Sequence, residues 1–169
     1  MITWSLCCSV SNVKYNVVLF QFQSILLEIQ RLCPVVSLGV PHGALEDIPL
    51  PDGKMIPKGA MLMVAHWSIN RNPKLFENPD TFKPLRFLSP NAGLVQNIPM
   101  MPFQVGRRKC VGEDFGRAMV LAFVMELVQR YHLKLETEYD FSKEPSPGFT
   151  RSPNPFTLML DPLPFHHCY

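Results

Sequence analysis

The stretch from Pro102 to Glu113, PFQVGRRKCVGE, constrains this chain more than any other. Cys110 stands between glycines and behind three consecutive cations, Arg107, Arg108 and Lys109, immediately before a helical pattern that runs from Gly112 to Tyr131. Gly106 permits a tight or left-handed backbone, and Gly112 permits close approach beside the sulfur. The cations favour the sulfur as an anion, and the amino end of the following helix adds a modest preference of the same sign. Glu113 and Asp114 in the first turn fit the same dipole argument. A chain built around this stretch presents a loop-held cysteine at the head of a long helix.

Three chemistries can use such a cysteine: ligation of haem iron, thiolate attack on an electrophile, or redox exchange. Exchange asks for a second nearby cysteine, and the loop has none. Nucleophilic catalysis asks for a histidine base, which spacing alone cannot place beside the sulfur. An inert buried cysteine is the commoner role for an isolated Cys, but glycines and three cations are poor company for an apolar niche. The other cysteines, Cys7, Cys8, Cys33 and Cys168, complete an odd, irregular set of five. That set makes neither a disulfide framework nor paired zinc knuckles and favours a reducing environment.

The 169 residues suffice for one domain, and 47% hydrophobic residues can supply its core. Seventeen prolines argue for many turns and against a simple bundle. A net charge of +2 gives no ground for a nucleic-acid partner. The start, Met1 to Phe20, is interrupted by Ser9, Ser11, Asn12, Lys14 and Asn16; it reads as neither a membrane span nor a secretory signal. Residues 1–22 are expected to be irregular.

A helix is expected over Ser24 to Leu32, with Ile25, Leu26, Ile29 and Leu32 on an apolar side and Glu28 and Arg31 three apart on one face. Pro34 ends it. Val35 to Val40 reads as an extended apolar segment. Short strands follow from Ile48 to Val64, separated by turns at Asp52-Gly53 and Pro57-Lys58-Gly59, with Met61, Met63 and Val64 packed in a buried sheet. Ala65 to Ile69 reads as a short helix in which His66 and Trp67 pack and hydrogen-bond. Asn70 to Pro102, broken by Pro73, Pro79, Pro84, Pro90 and Pro99, is an irregular arm. Beyond Cys110, the spacing of Phe115, Met119, Val120, Phe123, Val124, Leu127 and Val128 predicts a long helix with an extensive buried face. Tyr131 to Leu135 and Phe156 to Leu160 read as extended, and Gly148 to Ser152 as a surface hairpin or loop.

Phe103, Gly106, Arg108, Cys110 and Gly112, in the order F-x-x-G-x-R-x-C-x-G, closely resemble the proximal haem loop of the cytochrome P450 superfamily. Gln104 departs from the small residue usual after the phenylalanine. Glu28-Ile29-Gln30-Arg31 resembles the family's E-x-x-R helix motif, and Phe82-Lys83-Pro84-Leu85-Arg86-Phe87 its later segment whose arginine completes an ion-pair network. The resemblance covers roughly residues 23 to 163, followed by a tail at 164–169, and looks most like the microsomal family-2 branch. It implies a mixed α+β, mainly helical fold: the carboxyl-terminal portion of the P450 fold with small β-sheets.

The resemblance further implies haem b (heme, iron protoporphyrin IX) as cofactor, with Cys110 as the metal ligand. Phe103, Gly112, Arg108 and His42 would accompany it, the last two at the propionates. Glu28, Arg31 and Arg86 would form the structural network, with loss of Arg86 costing about 3–5 kcal/mol if the bridge is buried. Val36, Leu38, Val40, Phe149 and Thr150 would contact a small apolar substrate: a steroid, fatty acid or xenobiotic. Arg107 and Lys109 would face an acidic electron-transfer partner. That partner would be an NADPH-dependent cytochrome reductase, with cytochrome b5 as a second donor, at the cytosolic face of the endoplasmic reticulum membrane. The activity implied is monooxygenation.

No A/G-G-x-D/E-T stretch occurs in the 169 residues, so the acid/alcohol pair of the family's long central helix has no counterpart here. This suggests a fragment, and catalytic residues are not identified in it. Two alternatives stand beside the monooxygenase: a noncatalytic haem-binding or regulatory remnant, and a soluble thiol protein in which Cys110 reacts without haem.

Overall fold

The computed structural model describes residues 12–89, 93–136 and 149–164. Cys7, Cys8, Gly148, Cys168 and the tail beyond Pro164 lie outside the described residues. Helix α1 spans Asn12–Leu32, beginning before the expected Ser24, so the stretch read as irregular is helical from Asn12 onward. Over residues 18–32 its buried residues are Ser24, Leu27, Glu28 and Arg31, a single i, i+3, i+4, i+7 stripe. The side expected to be apolar is displaced: Ile29 is 45% exposed, while Glu28 and Arg31 are fully buried. Periodicity finds helical faces but cannot tell that a salt-bridged polar face turns inward.

Past Pro34, residues 35–38 bend and turn instead of forming the expected extended run. Strands β1 (His42–Gly43) and β4 (Met61–Leu62) pair antiparallel around the hairpin of β2 (Ile48–Pro49) and β3 (Met55–Ile56). The expected turns appear, with left-handed backbone at Gly53 and Gly59. Met61 and Met63 are exposed, at 69% and 43%, and not in a buried sheet. A two-stranded ladder has only one neighbour per strand, and among the described residues no second layer closes over these side chains.

Helix α2 (His66–Asn70) leads into the proline-broken arm, whose Pro84–Phe87 forms a tight 3₁₀ turn before the short pair β5 (Leu88–Ser89) and β6 (Gly93–Leu94). The arm returns Phe76, Phe87 and Met100 onto Leu27 of α1, with Leu94 and Ile98 packed around them. This cluster is the hydrophobic core of the described residues.

Helix α3 (Glu113–Arg130) follows the cysteine loop and runs into β7 (Tyr131–Leu135), which pairs antiparallel with β8 (Leu158–Pro162). Here the sequence expectation fails. None of the α3 residues is buried, and Phe115, Met119, Val120 and Phe123 are 45–72% exposed. An apolar stripe states that a helix has a face to bury; it does not supply the surface that buries it. No helix among the described residues is long and apolar enough to cross a membrane.

Candidate functional site

The buried scaffold is a carboxylate held by two arginines. Arg31 grips Glu28 in a fork, Nε to Oε2 at 2.8 Å and Nη2 to Oε1 at 2.9 Å. The backbone N–H of Lys83 donates to Oε1 at 2.8 Å, and Arg86 Nε approaches the same carboxylate at 3.2 Å. Further guanidinium hydrogens go to backbone: Arg31 donates to the carbonyls of Asn70, Pro79 and Thr81, and Arg86 to those of Glu77, Asn78 and Thr81. The Glu28, Arg31 and Arg86 motifs, far apart in sequence, are thus brought together and pin the irregular arm to α1. Burial alone would raise the Glu28 carboxyl. The hydrogen bonds from Arg31 and Lys83, with the charges of Arg31 and Arg86, outweigh that and hold it below its ordinary value.

The arm delivers the chain to the cysteine loop. Met101 accepts from the Gln104 amide at 3.0 Å, and Gly106–Arg108 makes one 3₁₀ turn. Gly106 sits at φ +78°, where its lack of Cβ is needed. The Cys110 amide donates to the Phe103 carbonyl at 2.9 Å, closing the loop so that the sulfur stands exposed beside Gly112. A Cβ on Gly112 would lie 3.9 Å from that sulfur. The Phe103 ring lies under the first turn of α3, near Gly116 and 5.0 Å from the Arg117 guanidinium carbon.

Arg107, Arg108 and Lys109 are all exposed on this loop. Lys109 is drawn toward Glu113 at 3.7 Å, and Arg117 pairs with the same Glu113 at 3.0 Å. His42, on β1, pairs through Nε2 with the Gln104 side chain, whose amide nitrogen donates to the Val40 carbonyl at 3.2 Å. Because that amide nitrogen faces a carbonyl, Gln104 Oε1 accepts from His42 Nε2–H. Sequence reading noted Gln104 only as a departure; the structure makes it the link between the loop and the His42 segment. Its φ of +62° is the left-handed conformation that glycine adopts more readily than any residue with a Cβ.

Val36 is half-buried, and Leu38, Val40 and Phe149 are more than half exposed. Arg151 donates its backbone N–H to Val35 at 2.7 Å, which sets the segment of Phe149 and Thr150 beside the Val35–Val40 turn. Among the described residues no three His, Cys, Asp or Glu side chains converge as a metal site.

A family model described as Cytochrome P450 matches residues 22–160. The chain belongs to the cytochrome P450 family. Among its relatives are a farnesoate epoxidase of Bombyx mori, 31% identical over 141 residues, and cytochrome P450 2U1 of Homo sapiens, 32% identical over 142 residues. These alignments cover 83% and 82% of this chain and 28% and 25% of the relatives. A zebra fish P450 solved with progesterone superposes with a TM-score of 0.74 at 30% identity, covering 85% of this chain and 31% of that one. This chain therefore spans a quarter to a third of the P450s it resembles, and its fold is that of a P450 portion.

Membership in the P450 family implies haem, and the residues present fit it. The cofactor would be held by a donor such as a thiolate with space beside it, apolar cover and cations for its two carboxylates. Cys110 offers an exposed sulfur, Gly112 leaves the space, the uncovered Phe115 and Met119 are apolar, and Arg108 is an exposed cation of the loop.

Proposed function

We propose that this chain is the cysteine-ligand portion of a haem–thiolate monooxygenase, which inserts one atom of O2 into a small apolar organic substrate and reduces the other to water with two electrons from NADPH. The observation that carries this reading is the sulfur of Cys110, exposed at the head of α3 on a loop closed by its own amide to Phe103. When bound, haem supplies oxygen activation, and an anionic sulfur ligand donates electron density that favours O–O cleavage.

The chain's own residues hold and orient. Cys110 would be the metal ligand, Phe103 and Gly112 would border the cofactor, and Arg108 would receive its carboxylates together with His42, the latter through the ring nitrogen that Gln104 does not occupy. Gln104 keeps His42 turned by taking the Nε2 proton in a hydrogen bond. Val36, Leu38, Val40, Phe149 and Thr150 give the substrate apolar contact. An apolar substrate of steroid, fatty-acid or xenobiotic class accords with a relative named for farnesoate and with a neighbouring structure holding progesterone. Arg107 and Lys109 present positive charge to an NADPH-dependent cytochrome reductase, with cytochrome b5 as a second electron donor. The endoplasmic reticulum membrane, on its cytosolic face, is the expected site of work.

The test is the ferrous–carbon-monoxide spectrum of the haem-loaded full protein beside Cys110→Ser. A thiolate-type band that disappears in the variant supports the ligand assignment. Absence of that band from the unaltered protein removes it. Turnover of an apolar substrate with NADPH and reductase then separates an enzyme from a haem-binding remnant without activity.

A further inference from the structure

Trp67 of α2 carries two guanidinium groups. The Arg71 carbon lies 3.2 Å from the ring centroid and the Arg151 carbon 3.9 Å from it. Each cation is attracted to the electron-rich ring it approaches.

Each member of this stack is anchored elsewhere. The Trp67 amide donates to the Ser37 carbonyl at 3.1 Å, and the Arg151 amide to the Val35 carbonyl at 2.7 Å. Arg71 donates through Nη2 to Leu32 at the end of α1 and meets Asp80 of the arm at 3.3 Å. The stack therefore joins the Val35–Val40 turn to the Phe149–Arg151 segment, which lie more than a hundred residues apart in sequence, and roots both on the scaffold that Arg31 organises. Both joined segments carry the exposed apolar side chains Leu38, Val40 and Phe149.

We propose that Trp67, whose ring meets both Arg71 and Arg151, sets the spacing of these two segments and so acts as a positioning residue for substrate selectivity without touching substrate. The proposal rests on the haem–thiolate reading, since that reading makes the two segments the apolar walls of the site. A purely structural Trp67 would change stability alone; a positioning Trp67 changes which ligands are preferred in protein that remains folded and haem-loaded.

The experiment uses the haem-loaded full protein, its Trp67→Leu and Arg151→Leu variants, and Trp67→Phe, which retains an aromatic face. Imidazole and 4-phenylimidazole, a small and a bulky iron-ligating probe, are titrated by absorbance. The ferrous–carbon-monoxide band is recorded for every variant, and hydrogen exchange is followed over residues 149–152. The expected result is an unchanged thiolate band and a preference for the bulky probe that weakens about five-fold or more in the two Leu variants, the lower end of ordinary coupling between linked sites. Amide exchange at Arg151 should accelerate in the same two, while Trp67→Phe keeps the parent preference. An intact band with an unchanged probe preference in both Leu variants overturns the positioning role. Loss of haem from both Leu variants also overturns it, assigning Trp67 to folding. A parent protein without a thiolate band defeats the underlying haem–thiolate reading and, with it, this inference.

Discussion

Replacing Arg31 by Ala should be the most damaging change in the Glu28 network, ahead of Arg86→Ala. Arg31 is fully buried and donates five hydrogen bonds: two to Glu28 and three to the carbonyls of Asn70, Pro79 and Thr81. Its removal leaves a fully buried carboxylate with the Lys83 amide and Arg86 as remaining donors. Breaking a buried ion pair on one side costs about 3–5 kcal/mol. At about 1.4 kcal/mol per tenfold, that is a loss of roughly two to three and a half decades in the folding equilibrium. Arg86 is different. It meets Glu28 at 3.2 Å, and without it Glu28 keeps the Arg31 fork and the Lys83 amide. The cost of Arg86→Ala therefore falls to about 1.5–3 kcal/mol, the range for hydrogen bonds to a charged group. Glu28 stays satisfied because the Arg31 fork and the Lys83 amide remain, which places the cost below the about 3–5 kcal/mol expected for a buried bridge.

The assay is urea unfolding of the full protein followed by far-ultraviolet circular dichroism, with haem retention measured in parallel. Glu28→Leu combined with Arg31→Met adds a second arm. Removing both members leaves neither without its partner, so the double variant should lose less than the sum of Glu28→Leu and Arg31→Met measured singly. Equal midpoints for Arg31→Ala and the parent, or strictly additive losses in the double variant, would refute the account of a buried, mutually dependent pair.

Acidification should weaken the fold in two windows. Burial lowers His66 below its ordinary 6.5, so the unfolded chain takes up the proton first; stability present above 6.5 is lost as pH falls through the folded value. Glu28 repeats this below 4.5, with the carboxylate form stabilising the fold above that value. Urea midpoints across this range test both signs, and a midpoint that rises on acidification through 6.5 contradicts the first. Gly39→Ala should destabilise by about 1–3 kcal/mol, because Gly39 sits at φ +64° and its Cβ would stand 3.0 Å from the Gln104 side chain and 3.2 Å from the Val64 carbonyl. Gly43→Ala, where nothing lies within 4 Å, is the control for that measurement and should stay much closer to the parent.

The sequence alone determined the local devices. Fixed spacing around Cys110, a helical period after it, turn-forming glycines at Asp52-Gly53 and Lys58-Gly59, and a proline-broken arm are properties of short segments, readable because covalent geometry limits what such segments do. Tertiary structure decided which faces meet. It turned Ser24, Glu28 and Arg31 inward, although Ile25 and Ile29 look like the core-facing residues, because a carboxylate with two arginines and backbone partners can be buried as a satisfied unit. It left the apolar stripe of α3 uncovered, because burying a stripe needs an opposing surface that no local period encodes. Likewise, Gln104 meeting His42 and Trp67 taking two arginines depend on contacts between distant segments, which is why residue type and spacing gave no sign of either.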